Sequence, residues 1–107
     1  MLIDVTKEHI KNGIREDECN CPIALAICDA VESELTDDQL NKANIIATVQ
    51  DTEIGVWHHN NNAEMELMYY IEPEDPDDWG FIGHFIHNFD KDRTAEPFDM
   101  AFEVIQN

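Results

Sequence analysis

The unbroken apolar run Ile23-Ala24-Leu25-Ala26-Ile27-Cys28, entered through Asn20-Cys21-Pro22, constrains this chain more than any other stretch. Ala24, Leu25 and Ala26 are strong helix formers. Asn20 or Cys21 can serve as the N-cap, and Pro22 suits a first turn, where its missing N–H costs nothing. Polar positions arrive late, at Asp29, Glu32, Ser33 and Glu34. A short helix that is apolar on nearly every side must be buried on nearly every side. The pattern predicts a central helix over about 22–33 with a sheet wrapped against it, and these residues read as core and not as an active site.

The rest of the chain supplies that sheet. Met1, Ile3 and Val5 alternate with Asp4 and Thr6 as in a strand, and Thr6 can cap a short helix that stops at Gly13. Thr36-Asp37-Asp38-Gln39 matches a capping box and predicts helical turns over 37–42. Ile45, Ala47 and Val49, then Ile54 and Val56, alternate with more polar neighbours, with a turn at Asp51-Thr52. Asn60-Asn61-Asn62 predicts a second turn. In the strand that follows, Met65, Leu67, Tyr69 and Ile71 are expected to face in, and Glu64, Glu66, Tyr70 and Glu72 out. Together these make a three-stranded antiparallel meander.

Pro73 and Pro76 break that pattern and open a helix over about 76–89, capped by Asp75. Asp77 and Asp78 suit the positive end of its dipole. Trp79, Ile82, Phe85, Ile86 and Phe89 share one face, Phe81 lies at its edge, and His84 and His87 lie opposite. Phe98, Met100, Phe102 and Val104 alternate as a last strand. The fold class is α+β: one domain over 1–107, a mostly antiparallel sheet of four to five strands, the buried central helix, and the second amphipathic helix on one face.

Two stretches carry a resemblance. His9-Ile10 with Gly13 and Cys21-Pro22-Ile23-Ala24-Leu25-Ala26-Ile27 resemble the opening of small phage-encoded proteins of unassigned function. Phe85-Ile86 with Phe89-Asp90, then Pro97-Phe98 and Phe102, resemble the close of the same group. The resemblance implies a phage or prophage origin and assigns no catalytic residue.

Charge narrows the function. Twenty-four Asp and Glu oppose six Lys and Arg, a formal net charge of −18 over 107 residues. Direct binding to nucleic acid or an anionic membrane is excluded on that balance, because Lys and Arg recruit those partners. The first ten residues have neither the basic start nor the apolar run of a signal peptide, and no segment reaches the ~20 apolar residues of a membrane span. With three cysteines, at 19, 21 and 28, the chain reads as cytoplasmic with reduced thiols.

Candidate chemistry is sparse. Cys19-x-Cys21, His58-His59 and His84-x-x-His87 offer thiols and imidazoles, but no paired C-x-x-C or C-x-x-H motif accompanies them. A zinc-binding small protein is the least favoured alternative, and no cofactor is expected. Ser33 is the sole serine, and Glu16, Asp17 and Glu18 disfavour a thiolate at Cys19 or Cys21. No phosphate loop or dinucleotide fingerprint occurs, so the chain does not read as an enzyme.

The acidic surface is the stronger signal. Between Ala43 and Asp90 there is no Lys or Arg, while Glu64, Glu66, Glu72, Glu74, Asp75, Asp77 and Asp78 fall there. Carboxylates two apart on a strand stand ~6.6–6.8 Å apart. Duplex DNA carries a charge per ~3.4 Å on each strand, a comparable density. The expectation is a nucleic-acid mimic: a phage-type inhibitor whose seven carboxylates, with Trp57 and Tyr70 as anchors, occupy the cleft of a host nucleic-acid-binding protein such as a defence nuclease. The alternative is an acidic protein–protein interaction module without mimicry. Monomer and homodimer both remain open.

Overall fold

The computed structural model describes residues 1–34, 45–50, 52–59, 64–92 and 94–105. The expected helical turns over 37–42 and the turn at Asn60-Asn61-Asn62 lie outside the described residues. The elements in order are β1 (Leu2–Val5), α1 (Lys7–Asn12), α2 (Pro22–Ser33), β2 (Ile45–Val49), β3 (Ile54–His59), β4 (Met65–Pro73), α3 (Asp78–Asp90) and β5 (Phe98–Ile105).

All five strands join one antiparallel sheet in the order β1-β5-β4-β3-β2. The expected meander is its β4-β3-β2 half. The first and last strands pair in the other half, where the Met1 amino group donates to the Phe102 carbonyl at 3.0 Å and the Phe102 N–H donates to the Met1 carbonyl at 2.7 Å.

Helix α2 packs against both β1 and β2, the strands at opposite edges of the sheet. One helix reaches both edges because the sheet curls around it. Ile23, Ala24, Ile27 and Val31 of α2 share a single core with Ile3, Val5, Ala47, Val56, Ile71 and Phe102 from the five strands. Each large aliphatic side chain so buried contributes about 1.5–3 kcal/mol, which is what bends the sheet inward. The start of α2 follows its sequence: Cys21 is the N-cap, its sulfur accepting the Ala24 N–H at 3.5 Å, and Pro22 opens the first turn. Gly13 lies so close to Pro22 that an added Cβ would stand 2.7 Å from Pro22 Cδ, so only glycine lets α1 turn into the following loop here.

That loop is held by the Asp17 carboxylate, which accepts from the Asn20 side-chain amide at 3.1 Å and from the Cys19 N–H at 2.9 Å. Those bonds hold its carboxyl below the usual range. The same loop pairs with the end of β2, where the Val49 N–H donates to the Glu18 carbonyl at 2.9 Å.

Helix α3 begins at Asp78 and not at the expected Pro76. Asp78, Trp79 and Gly80 donate to the carbonyls three residues back, so the entry is a tighter turn that relaxes into the α-helix. The N-cap is Asp77, with no side-chain cap bond, and not the expected Asp75, whose carboxylate instead accepts the Asp77 N–H at 3.0 Å within the entry turn. Ile82, Phe85 and Phe89 are buried on the expected face, and Phe81 at its edge is exposed.

The phase of β4 differs from expectation. The β3–β4 register shifts between Val56 and Trp57: Val56 pairs with Tyr69, but Trp57 pairs with Leu67. The extra residue, Met68, forms a bulge, and Met68 and Tyr69 both pack against the core. Every residue before the bulge therefore changes sides. Leu67 joins Trp57 on the outer face. Glu66 pairs with His58, which continues the core-facing row of Ile54 and Val56.

Candidate partner-binding surface

With the helices inside the curl, the opposite sheet face is left uncovered, and alternation sorts its residues. Toward β2 and β3 it carries Ile46, Thr48, Gly55, Trp57, Leu67 and Tyr70. Register places Ile46 opposite Trp57, Trp57 opposite Leu67 and Gly55 opposite Tyr70. The Trp57 indole lies over Gly55 and donates from Nε1 to Thr48 Oγ1 at 3.0 Å. Both expected anchors, Trp57 and Tyr70, are half-buried on this face.

Toward β5 and β1 the same face turns anionic. Glu72 stands opposite Glu103, and Asp4 stands opposite Asp99. Directly opposed residues hold their Cβ atoms about 4.5–5.5 Å apart, and like charges there repel. Glu74 continues the rim, its N–H donating to the Ala101 carbonyl at 3.0 Å, and the chain then enters the Asp75, Asp77 and Asp78 turn. Among the described residues, no Lys or Arg pairs with any of these eight carboxylates; Arg15 is paired with Asp92.

The expected seven carboxylates are therefore divided. Glu72 and Glu74 lie beside β5, and Asp75, Asp77 and Asp78 follow them in the turn that enters α3. Glu66 lies six positions from Glu72 along β4, about 20 Å away at ~3.3 Å per residue, and on the other face. Its carboxylate approaches His58 Nε2 at 3.5 Å. Glu64 precedes the same end of β4. In their place the fold supplies Asp4, Asp99 and Glu103, which come from the two chain ends. The alternating pattern marked all three as outward-facing, but only the β1–β5–β4 pairing sets them beside Glu72.

The metal-ligating candidates do not converge: among the described residues, no group of three or more His, Cys, Asp or Glu could hold a metal ion. His84 is exposed on α3 and bonds Asn88 at 3.0 Å. His58 and His59 are on β3, and Cys21 is spent on the α2 cap.

A cleft of about 740 Å³ beside α1 and α2 is lined in part by His9, Cys19, Cys28 and Asp29. Both ring nitrogens of His9 are occupied. Nδ1 accepts the Thr6 N–H at 3.0 Å, completing a capping box for α1, and Nε2 meets Asp29 Oδ2 at 2.6 Å. Nδ1 as acceptor places the neutral ring's proton on Nε2. Burial pushes the Cys19 thiol up and the Cys28 thiol to about 11, so neither is a thiolate at neutral pH. Among the described residues no polar or charged side chain is buried, and no helix is long and apolar enough to cross a membrane.

Over 47 residues, 43% of its length, the chain is 43% identical to a protein named cyclic GMP-AMP synthase from Escherichia albertii. The matched stretch spans 11% of that protein. No family model matches the chain, and no solved structure matches it at a significant level.

Proposed function

We propose that this chain is a phage-type inhibitor that binds the basic, nucleic-acid-binding surface of a host protein through the anionic end of its outer sheet face. One observation carries the reading: Asp4, Asp99, Glu72 and Glu103 form two opposed like-charge pairs facing solvent, with no Lys or Arg partner among the described residues. Asp99 and Glu103 are four apart on β5, so the four charges occupy about 13 Å at ~3.3 Å per residue. Duplex DNA, with a charge per ~3.4 Å on each strand, carries about eight over that length, so the ladder reaches about half its density. A sheet holds such charges rigidly, and an Arg-lined cleft can pair with them bidentately. The mimic surface is then the Asp4–Asp99–Glu103–Glu72 ladder with Glu74, Asp75, Asp77 and Asp78, and Glu64 and Glu66 are left outside it. Its role is binding and not catalysis, in keeping with three thiols that burial keeps protonated.

Capture from a bacterial lysate on the immobilised protein, followed by elution with duplex DNA, tests this. The expected result is that DNA releases the bound protein and that the Asp4→Asn, Glu72→Gln, Asp99→Asn, Glu103→Gln variant captures none of it. Retention against excess duplex DNA overturns mimicry.

A second reading is an acidic interaction module without mimicry. Trp57, Leu67 and Tyr70 on the uncovered sheet face support it, because surface aromatic and apolar side chains are the usual anchors of protein interfaces. In that case Trp57→Ala abolishes capture and DNA does not compete.

A further inference from the structure

Beside the anionic pairs, α3 and the β1–β5 edge leave a shallow slot of about 420 Å³ lined by Leu2, Phe81, Phe98, Met100, Asp78 and Asp99. Two of its apolar residues are uncovered, Leu2 at 64% and Phe81 at 45% exposed, while Met100 forms a buried floor. Its shape is set from within, because Phe98 meets Phe81 edge-on at 4.8 Å and Phe85 at 5.0 Å. Phe85 is buried, so the Phe98 ring is pinned and the Phe81 ring rests against it. Asp78 and Asp99 contribute carboxylates to the slot, and neither has a Lys or Arg partner among the described residues.

We propose that this slot seats one apolar side chain of a basic partner segment, whose flanking Arg or Lys residues pair with Asp78 and Asp99. The proposal rests on the reading of the anionic end as the partner surface, and adds that recognition there is more than charge. Charge pairing alone leaves Leu2 and Phe81 in water; a Leu or Met between two arginines covers them while its neighbours meet the carboxylates. Charge selects this occupant over a second copy of the chain, which would bring its own −18 to the contact.

Two synthetic peptides of equal charge test it, Arg-Arg-Leu-Arg-Arg and Arg-Arg-Ser-Arg-Arg, titrated into the full chain by fluorescence anisotropy and by amide chemical shifts. Both are expected to bind at low salt, with the leucine peptide about tenfold tighter. Phe81→Ala and, separately, Leu2→Ser are expected to erase that difference and leave the serine peptide unaffected. Asp78→Asn is expected to weaken both peptides. Equal affinity for the two peptides overturns the slot and leaves the anionic surface standing. Failure of both to bind overturns the slot and the surface together. Concentration-dependent dimerisation that Phe81→Ala abolishes assigns the slot to a second copy and overturns the proposal.

Discussion

Glu72 on β4 stands directly opposite Glu103 on β5, both on the uncovered face of the sheet. Such a pair works against folding: opposed side chains in a sheet couple by about 0.2–1 kcal/mol, and between like charges the sign is unfavourable. Asp4 and Asp99 repeat the arrangement further along β5. Glu103→Gln is therefore expected to stabilise the protein by about 0.2–1 kcal/mol at low ionic strength, with the gain shrinking as salt screens the pair. Urea unfolding at low and high salt reads this directly. Adding Glu72→Gln should give little more, since either change alone removes the repulsion. A midpoint that falls at low salt would show that the two carboxylates do not feel each other.

Trp57 and Gly55 form a second coupled pair on that face. An added Cβ at Gly55 would lie 2.7 Å from Trp57 Nε1 and 3.1 Å from Thr48 Oγ1, so Gly55→Ala must push the indole off the strand and break its bond to Thr48. The expected cost is about 1–3 kcal/mol, as for other overpacked sites. In a Trp79→Phe background, which leaves Trp57 as the one reporter, its emission should shift to the red as the ring enters water. Thr48→Val removes only the acceptor and should cost about 0.5–1.5 kcal/mol. Emission unchanged in both variants would mean that the ring does not rest there.

The central helix was legible from residues 20–34, because cap, first-turn proline and apolar run all point the same way, and it appears as Pro22–Ser33. The strands were legible from alternation. The side assigned to Glu66 and Leu67 was not, since one bulged residue reverses every position before it, and nothing in Leu67-Met68-Tyr69 marks which residue is extra. The anionic ladder was half legible. Glu72 and its followers stand out as a local run, whereas Asp4 and Asp99 meet only through a pairing between the two ends of the chain. Pattern gives the face of a strand; its neighbour is chosen by closure of the sheet around α2.

Helix α3 carries Gly80 and Gly83, and a Cβ added at either meets no atom within 4 Å. Neither residue has a positive φ, so alanine fits both without strain. Each substitution is expected to stabilise the protein by about 1 kcal/mol through helix propensity alone. Gly80→Ala and Gly83→Ala should each raise the thermal midpoint. Loss of stability at either site would show that the backbone approaches a neighbour closely there.

The Cys28 thiol links stability to alkaline pH. Burial is the chief cause that lifts it from the ordinary 9.0 to about 11, outweighing the backbone bond from Ala47 that lowers it. Its Sγ also donates to the Ile45 carbonyl at 3.6 Å, a bond only the protonated form can make. The unfolded chain loses this proton near pH 9, whereas the folded chain keeps it until about pH 11. Between those values the unfolded state binds fewer protons, so stability contributed by the group is complete below pH 9 and falls as pH rises toward 11. Cys28→Ala removes the titrating group and should flatten that part of the profile, whatever it costs at neutral pH. Denaturant midpoints at pH 7.5, 9 and 10.5 for both proteins check this. Parallel profiles would place the thiol in water, and rapid alkylation of Cys28 at neutral pH would say the same by an independent route.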